Sequence, residues 1–142
     1  MTTIAADLHG MAADSLCVMG EVCFHVTKIM RLKDGSLLAT AGTDVYTVPF
    51  EQAMLHGKVI VNTDTASDVS ALHLTKDGLF VYDNSWSPSK ILSGKCAIGS
   101  GAQAALSWLL NGATPKEAVL KASEVDVNTG GPIQYETLKT KR

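Results

Sequence analysis

Short apolar runs cut by turn residues dominate the first half of the chain, and longer helical patterns dominate the second. The opening "TTIAAD" alternates poorly but is β-compatible, so a strand is expected to begin at Thr2 with the terminus inside the fold. A tight turn at His9-Gly10 predicts a return through "MAADSLCV". The stretch "EVCFHVTKIMRL" is rich in β-branched and aromatic residues and predicts one strand, ending at "KDG", where Gly35 accepts a positive φ. "SLLATAG" then supplies its partner, so residues 30–41 read as a hairpin. Beyond Gly42, "DVYTVPFEQAMLHG" predicts a brief helix from about Pro49, stopped by Gly57. "KVIVN", "VSALHL" and "GLFVYDN" predict further strands, the last two joined by a second "KDG" turn.

After a strand ending in "AIGSG", the period lengthens. "AQAALSWLLNG" predicts a helix closed by Gly112. "TPKEAVLKASEVD" predicts another, with Thr114 as N-cap, Pro115 at the first helical position and Glu117 completing a capping box. "TGGPIQYETL" closes the chain as a strand. Strands, two consecutive helices and a final strand imply an α+β layered architecture. Many strands are apolar on both faces, as sheets are when they pack on one another and beneath helices. No linker or repeat divides residues 1–142, so a single domain is expected.

Composition narrows the function. A chain of 142 residues buries about 68–70% of the surface it exposes when unfolded. With 46% hydrophobic and 18% charged residues it has the balance of a globular domain. A net charge of −2 without a basic stripe argues against nucleic acid as a partner. No apolar run reaches the ~20 residues of a membrane span, and no charged-then-apolar leader is present, so no membrane and a cytoplasmic location are expected. Cys17, Cys23 and Cys96 lack CxxC spacing and read as free buried thiols; with four scattered histidines, a metal site is not expected.

The candidate chemistry starts at the terminus. A terminal threonine is a nucleophile and base in one residue: its hydroxyl attacks and its own α-amine, with a pKa of about 7.7–8.0, takes the proton. Removing Met1 would expose Thr2. The hydroxyl is a poor nucleophile unaided and needs supporting charges. "TTIAA", "GMAADS", "VTKIMRL", "TAGT", "AIGSGAQAAL" and "DVNTGG" occur in that order along the chain. In this the sequence resembles the proteasome β-type and HslV-like peptidases of the N-terminal-nucleophile hydrolase superfamily. The resemblance implies a four-layer αββα sandwich. It covers both ends well and the middle poorly, where relatives carry two long helices and only "VPFEQAML" looks helical here, so a reduced middle helical layer is expected.

The resemblance also implies roles. Thr2 becomes the nucleophile, Asp14 the buried acid holding the essential Lys28, and Gly42 the N–H donor to the reacting carbonyl. Ser100, Asp126 and Thr129 become the groups that orient the terminal amine. It implies hydrolysis of peptide bonds in unfolded chains, no cofactor, a ring-like homo-oligomer, and an ATP-dependent unfoldase as a candidate partner. "AQAALSWLLNG" offers Ala104, Ala105, Trp108 and Leu109 as a stripe for such assembly, the plainer alternative being packing on its own sheet. Two other functions stay open: a catalytically silent structural subunit, and an amidase acting on small molecules.

Overall fold

The computed structural model describes residues 2–42, 44–57, 69–84 and 87–138. Among them, β1 (Thr3–Ala6), β2 (Gly10–Ala13), β10 (Cys96–Gly99) and β11 (Gln134–Thr137) form an antiparallel sheet in the order β10-β1-β2-β11. A second sheet runs β5 (Ile29–Arg31), β6 (Leu37–Gly42), β7 (Val69–Thr75), β8 (Gly78–Asp83) and β9 (Ser89–Lys90). A two-stranded ribbon, β3 (Leu16–Met19) with β4 (Val22–His25), stands apart from both.

Period-two alternation sorts the side chains into layers. Ile4, Ala6, Met11 and Ala13 point one way and meet Ile29, Leu37, Ala39, Leu72, Leu74 and Leu79 of the five-stranded sheet. Ala5 and Ala12 point the other way, beneath α2 (Ala102–Leu110) and α3 (Pro115–Ser123). Alanine at these strand positions lets both helices come close. On the far side, α1 (Asp44–Leu55) lays Phe50 on Leu38, Val69, Ala71 and Tyr82. The result is helix, sheet, sheet, helix, with one described helix on the outer face of the larger sheet.

Most of the expected elements form, and the departures have physical causes. "EVCFHVTKIMRL" is not one strand but β4 and β5, broken at residues 26–28. "MAADSLCV" likewise splits at Asp14-Ser15. Both breaks turn side chains inward, as described below. The helix expected from Pro49 begins at Asp44, with Pro49 inside it, where a missing N–H removes one helical bond; its stop at Gly57 holds, with φ at +65°. Thr114 caps α3 by accepting from the Glu117 N–H at 3.2 Å. Both "KDG" turns form, Gly35 taking φ +87°. The strand expected at "KVIVN" lies outside the described residues.

Two surface expectations change. Ala105 and Leu109 are fully buried against their own sheet, so the helical stripe does not present them for assembly. Trp108 is partly exposed, with the Lys121 ammonium 5.0 Å from its ring centre. Of the cysteines, Cys23 is exposed and Cys17 and Cys96 are half-buried rather than enclosed.

Candidate active site

Thr2 precedes β1 and is half-buried. Its carbonyl accepts from the Ser100 N–H at 2.8 Å, which fastens the start of the chain to the junction between β10 and α2. That junction needs glycine: Gly99 has φ +97°, and a Cβ there would run into the Thr2 carbonyl. A Cβ on Gly101 would collide with the Thr3 hydroxyl. The "GSG" therefore serves close approach of the terminus as well as a turn.

Asp14 sits where β2 ends and is fully buried. Its Oδ1 accepts from the Thr3 N–H at 3.0 Å and from Lys28 Nζ at 2.9 Å, and its Oδ2 accepts from the Gly130 N–H at 3.2 Å. Lys28 Nζ also donates to the Leu16 carbonyl at 2.8 Å. The Lys28 side chain is 8% exposed, so the ion pair lies in a region of weak solvent screening. Losing either partner would leave the other charge buried. Asp14 thus ties the ammonium to the backbone of the residue following Thr2.

A second cluster centres on Asp126. Ser100 Oγ and Thr129 Oγ1 both donate to Asp126 Oδ2, at 2.5 and 2.6 Å, while the Asn128 N–H donates to Oδ1 at 3.1 Å. The Ser100 hydroxyl, then that of Thr129, holds the Asp126 carboxyl below its usual range, against a smaller opposing effect of burial. Thr129 Oγ1 also meets Thr3 Oγ1 at 2.6 Å, and Thr3 Oγ1 accepts from the Gly101 N–H at 3.0 Å. One proton per hydroxyl fixes the direction: Gly101 N–H to Thr3, Thr3 to Thr129, Thr129 to Asp126.

Of the seven residues singled out from sequence, these contacts bring together Thr2, Asp14, Lys28, Ser100, Asp126 and Thr129. Gly42 ends β6 opposite Val69, with φ +138°, in the sheet that packs on β1; no described hydrogen bond ties it to the other six. Thr3 and Gln134 were missed. Thr3 joins the two clusters, and its only sequence signal is its place after Thr2. Gln134 Oε1 accepts from the Lys28 N–H at 2.8 Å, and its Nε2 donates to the Val26 carbonyl at 2.6 Å. Nothing in the polar final strand "QYET" singled out Gln134 from Glu136 and Thr137. A separate cleft of about 800 Å³, lined by Asp34, Ser36, His73, Phe80 and Tyr82 among others, contains none of the seven. Its size does not outweigh the convergence of charge and fixed donors beside Thr2.

No family model matches the chain, and no curated protein matches it in sequence. Solved structures do. HslV from Trypanosoma brucei superposes with a TM-score of 0.77 at 16% identity, over 98% of this chain and 100% of that one. BPH from Thiobacillus denitrificans superposes at 0.71 with 19% identity, over 99% and 100%. The same protein in complex with epoxomicin gives 0.72. The chain therefore has the αββα fold of HslV over its whole length.

Proposed function

We propose that this chain, acting as a single domain, is a peptidase with Thr2 as its nucleophile once Met1 has been removed. The observation that carries this reading is the buried Asp14–Lys28 pair, bonded directly to the backbone one residue beyond Thr2. In the reaction, Thr2 Oγ attacks a peptide carbonyl and passes its proton to its own α-amine, directly or through one water. Lys28 supplies a fixed positive charge that favours the alkoxide-like state and disfavours protonation of the neighbouring amine. The Gly42 N–H stabilises the oxyanion. Ser100, with its proton committed to Asp126, keeps lone pairs for the ammonium that forms; Thr129 and Asp126 hold that hydroxyl in place. The amine gives its proton to the leaving nitrogen, and water then hydrolyses the acyl ester and regenerates Thr2.

As the sequence resemblance implies, the proposal extends to unfolded polypeptide as substrate, a ring-like homo-oligomer larger than a dimer and an ATP-dependent unfoldase as partner, in a cytoplasmic setting. Epoxomicin, in whose complex the Thiobacillus protein was solved, is the first compound to test as an inhibitor. The deciding experiment is turnover of a fluorogenic peptide by the purified protein and by Thr2→Ala. Turnover abolished in the variant is the expected result. Equal turnover in both, or none in either with Met1 cleanly removed, contradicts the proposal. Light scattering that gives a monomer of 15.0 kDa would separately overturn the ring and favour an open-site amidase.

A further inference from the structure

The chain from Val22 to Arg31 has the composition of one continuous strand, yet it breaks at residues 26–28, and Lys28 is the residue that leaves the strand surface. Something must satisfy the backbone groups freed there, because buried amides and carbonyls left unpaired are costly. The Val26 N–H goes to the Ser15 carbonyl at 2.8 Å. Two more, the Lys28 N–H and the Val26 carbonyl, go to one side chain. Gln134 Oε1 accepts from the Lys28 N–H, and Gln134 Nε2 donates to the Val26 carbonyl. The same Nε2 lies 3.4 Å from the Asp14 carbonyl. An N–H on one side and a carbonyl on the other permit a single orientation of the amide, so the side chain acts as a two-pronged splint.

Its place in the sheet makes the splint specific. Gln134 begins β11 and pairs with Ala13, the residue before Asp14. One amide thus spans the backbones carrying both members of the ion pair: it bonds residues 26 and 28 and is anchored beside residue 14. We infer that Gln134 is the positioning residue of the site, fixing the backbone at Lys28 so that its ammonium stays on Asp14 and the Leu16 carbonyl. No described hydrogen bond joins it to Thr2 or to the ammonium, and it acts through the lysine. This inference rests on the proposed peptidase function for its kinetic consequence, but its structural content stands independently of activity.

The test uses the full chain with Gln134→Leu, which keeps much of the volume and removes both bonds, and Gln134→Glu, which keeps the acceptor and loses the donor. Amide hydrogen exchange at Lys28 is compared with Leu72, in the middle of the larger sheet, as an internal reference for overall stability. Exchange at Lys28 should rise at least about tenfold relative to Leu72 in Gln134→Leu, the scale of one lost hydrogen bond. In the active protein kcat should fall on the order of 10²-fold with KM within about twofold, as expected for a misplaced catalytic group. Gln134→Glu should fall between, and it carries the test if Gln134→Leu does not fold. Unchanged relative exchange at Lys28, or faster exchange with undiminished kcat, overturns the inference. If the native protein shows no peptidase activity the proposed function fails, and the exchange comparison alone then decides whether Gln134 fixes Lys28.

Discussion

The surroundings of Thr2 and the five-stranded sheet are built on different physical terms. The larger sheet grows by hairpins: β5 with β6 and β7 with β8 are sequence neighbours, and its interior is filled by volume, with Leu37, Leu72, Leu74 and Leu79 fully buried. In the strands around Thr2 the large Ile4 and Met11 are set among small buried residues, Ala5, Ala6, Ala12 and Ala13, and polar contacts across long stretches of chain add to the cohesion. Thr3 meets Thr129, Lys28 meets Gln134, and Ser100 meets Asp126. The scaffold should therefore lose stability in proportion to volume removed, with its chemistry intact. The site should lose activity through geometry even where little volume changes.

The largest effect should follow from the smallest change. Gly99→Ala adds one methyl at φ +97°, directly against the Thr2 carbonyl, and should cost about 4 kcal/mol or more or prevent folding. Urea unfolding would show it, and a near-native midpoint would contradict the close approach of the terminus. Asp14→Ala should come next, destabilising by about 3–5 kcal/mol because it leaves the Lys28 ammonium buried and unpaired. Its partner change, Lys28→Ala, also leaves a buried charge, but the Asp14 carboxylate keeps the Thr3 and Gly130 N–H donors, so it should cost less stability while lowering peptide turnover by about 10²–10³-fold, the usual scale for a lost electrostatic group. Unchanged turnover in both variants would remove this pair from the mechanism.

Leu72→Ala sets the contrast. It should cost about 2–5 kcal/mol through its cavity, yet leave kcat per folded molecule within about twofold. A collapse of kcat in folded Leu72→Ala would show that scaffold and site are not separable. The smallest effect concerns His73, on the larger sheet, whose Nε2 lies 2.8 Å from Ser36 Oγ. Ser36 gives its proton to Asp34 Oδ1 at 2.5 Å, so His73 donates to Ser36. Burial lowers the His73 pKa from 6.5, and the Asp34 charge opposes this more weakly. A histidine with a lowered folded pKa is protonated first in the unfolded chain. Its contribution is thus fully present above the unfolded value and declines as pH falls from about 6.5 toward the folded value. The urea midpoint should drop from about pH 7 to about pH 5, and drop less in His73→Gln. Equal slopes would rule out His73 as the source.

The same contrast explains what was legible in the sequence. Hairpins at the two "KDG" turns and the Thr114–Glu117 cap are local events, and composition within a few residues determined them. The layers followed from apolar residues on both strand faces. The break at residues 26–28 was not legible, because the amide that pairs its backbone groups, that of Gln134, arrives from the far end of the chain. The early start of α1 was hidden for another reason: Pro49 looks like a first-turn residue, and burial of Phe50 against Tyr82 outweighs its cost inside the helix. The site residues were visible only as an ordered set resembling a known family. Six of the seven are linked by contacts in the folded chain, while Thr3, which bridges their two clusters, looked like one more strand residue.

In the proposed reaction Thr2 carries the acyl group. Intact mass after brief exposure to a peptide p-nitrophenyl ester and acid quench tests it most directly, with peptide mapping to locate the label. The expected result is a protein lacking Met1, with one acyl group mapping to Thr2 and no acylation in Thr2→Ala. Uniformly retained Met1, or an acyl group mapping anywhere but Thr2, would contradict it.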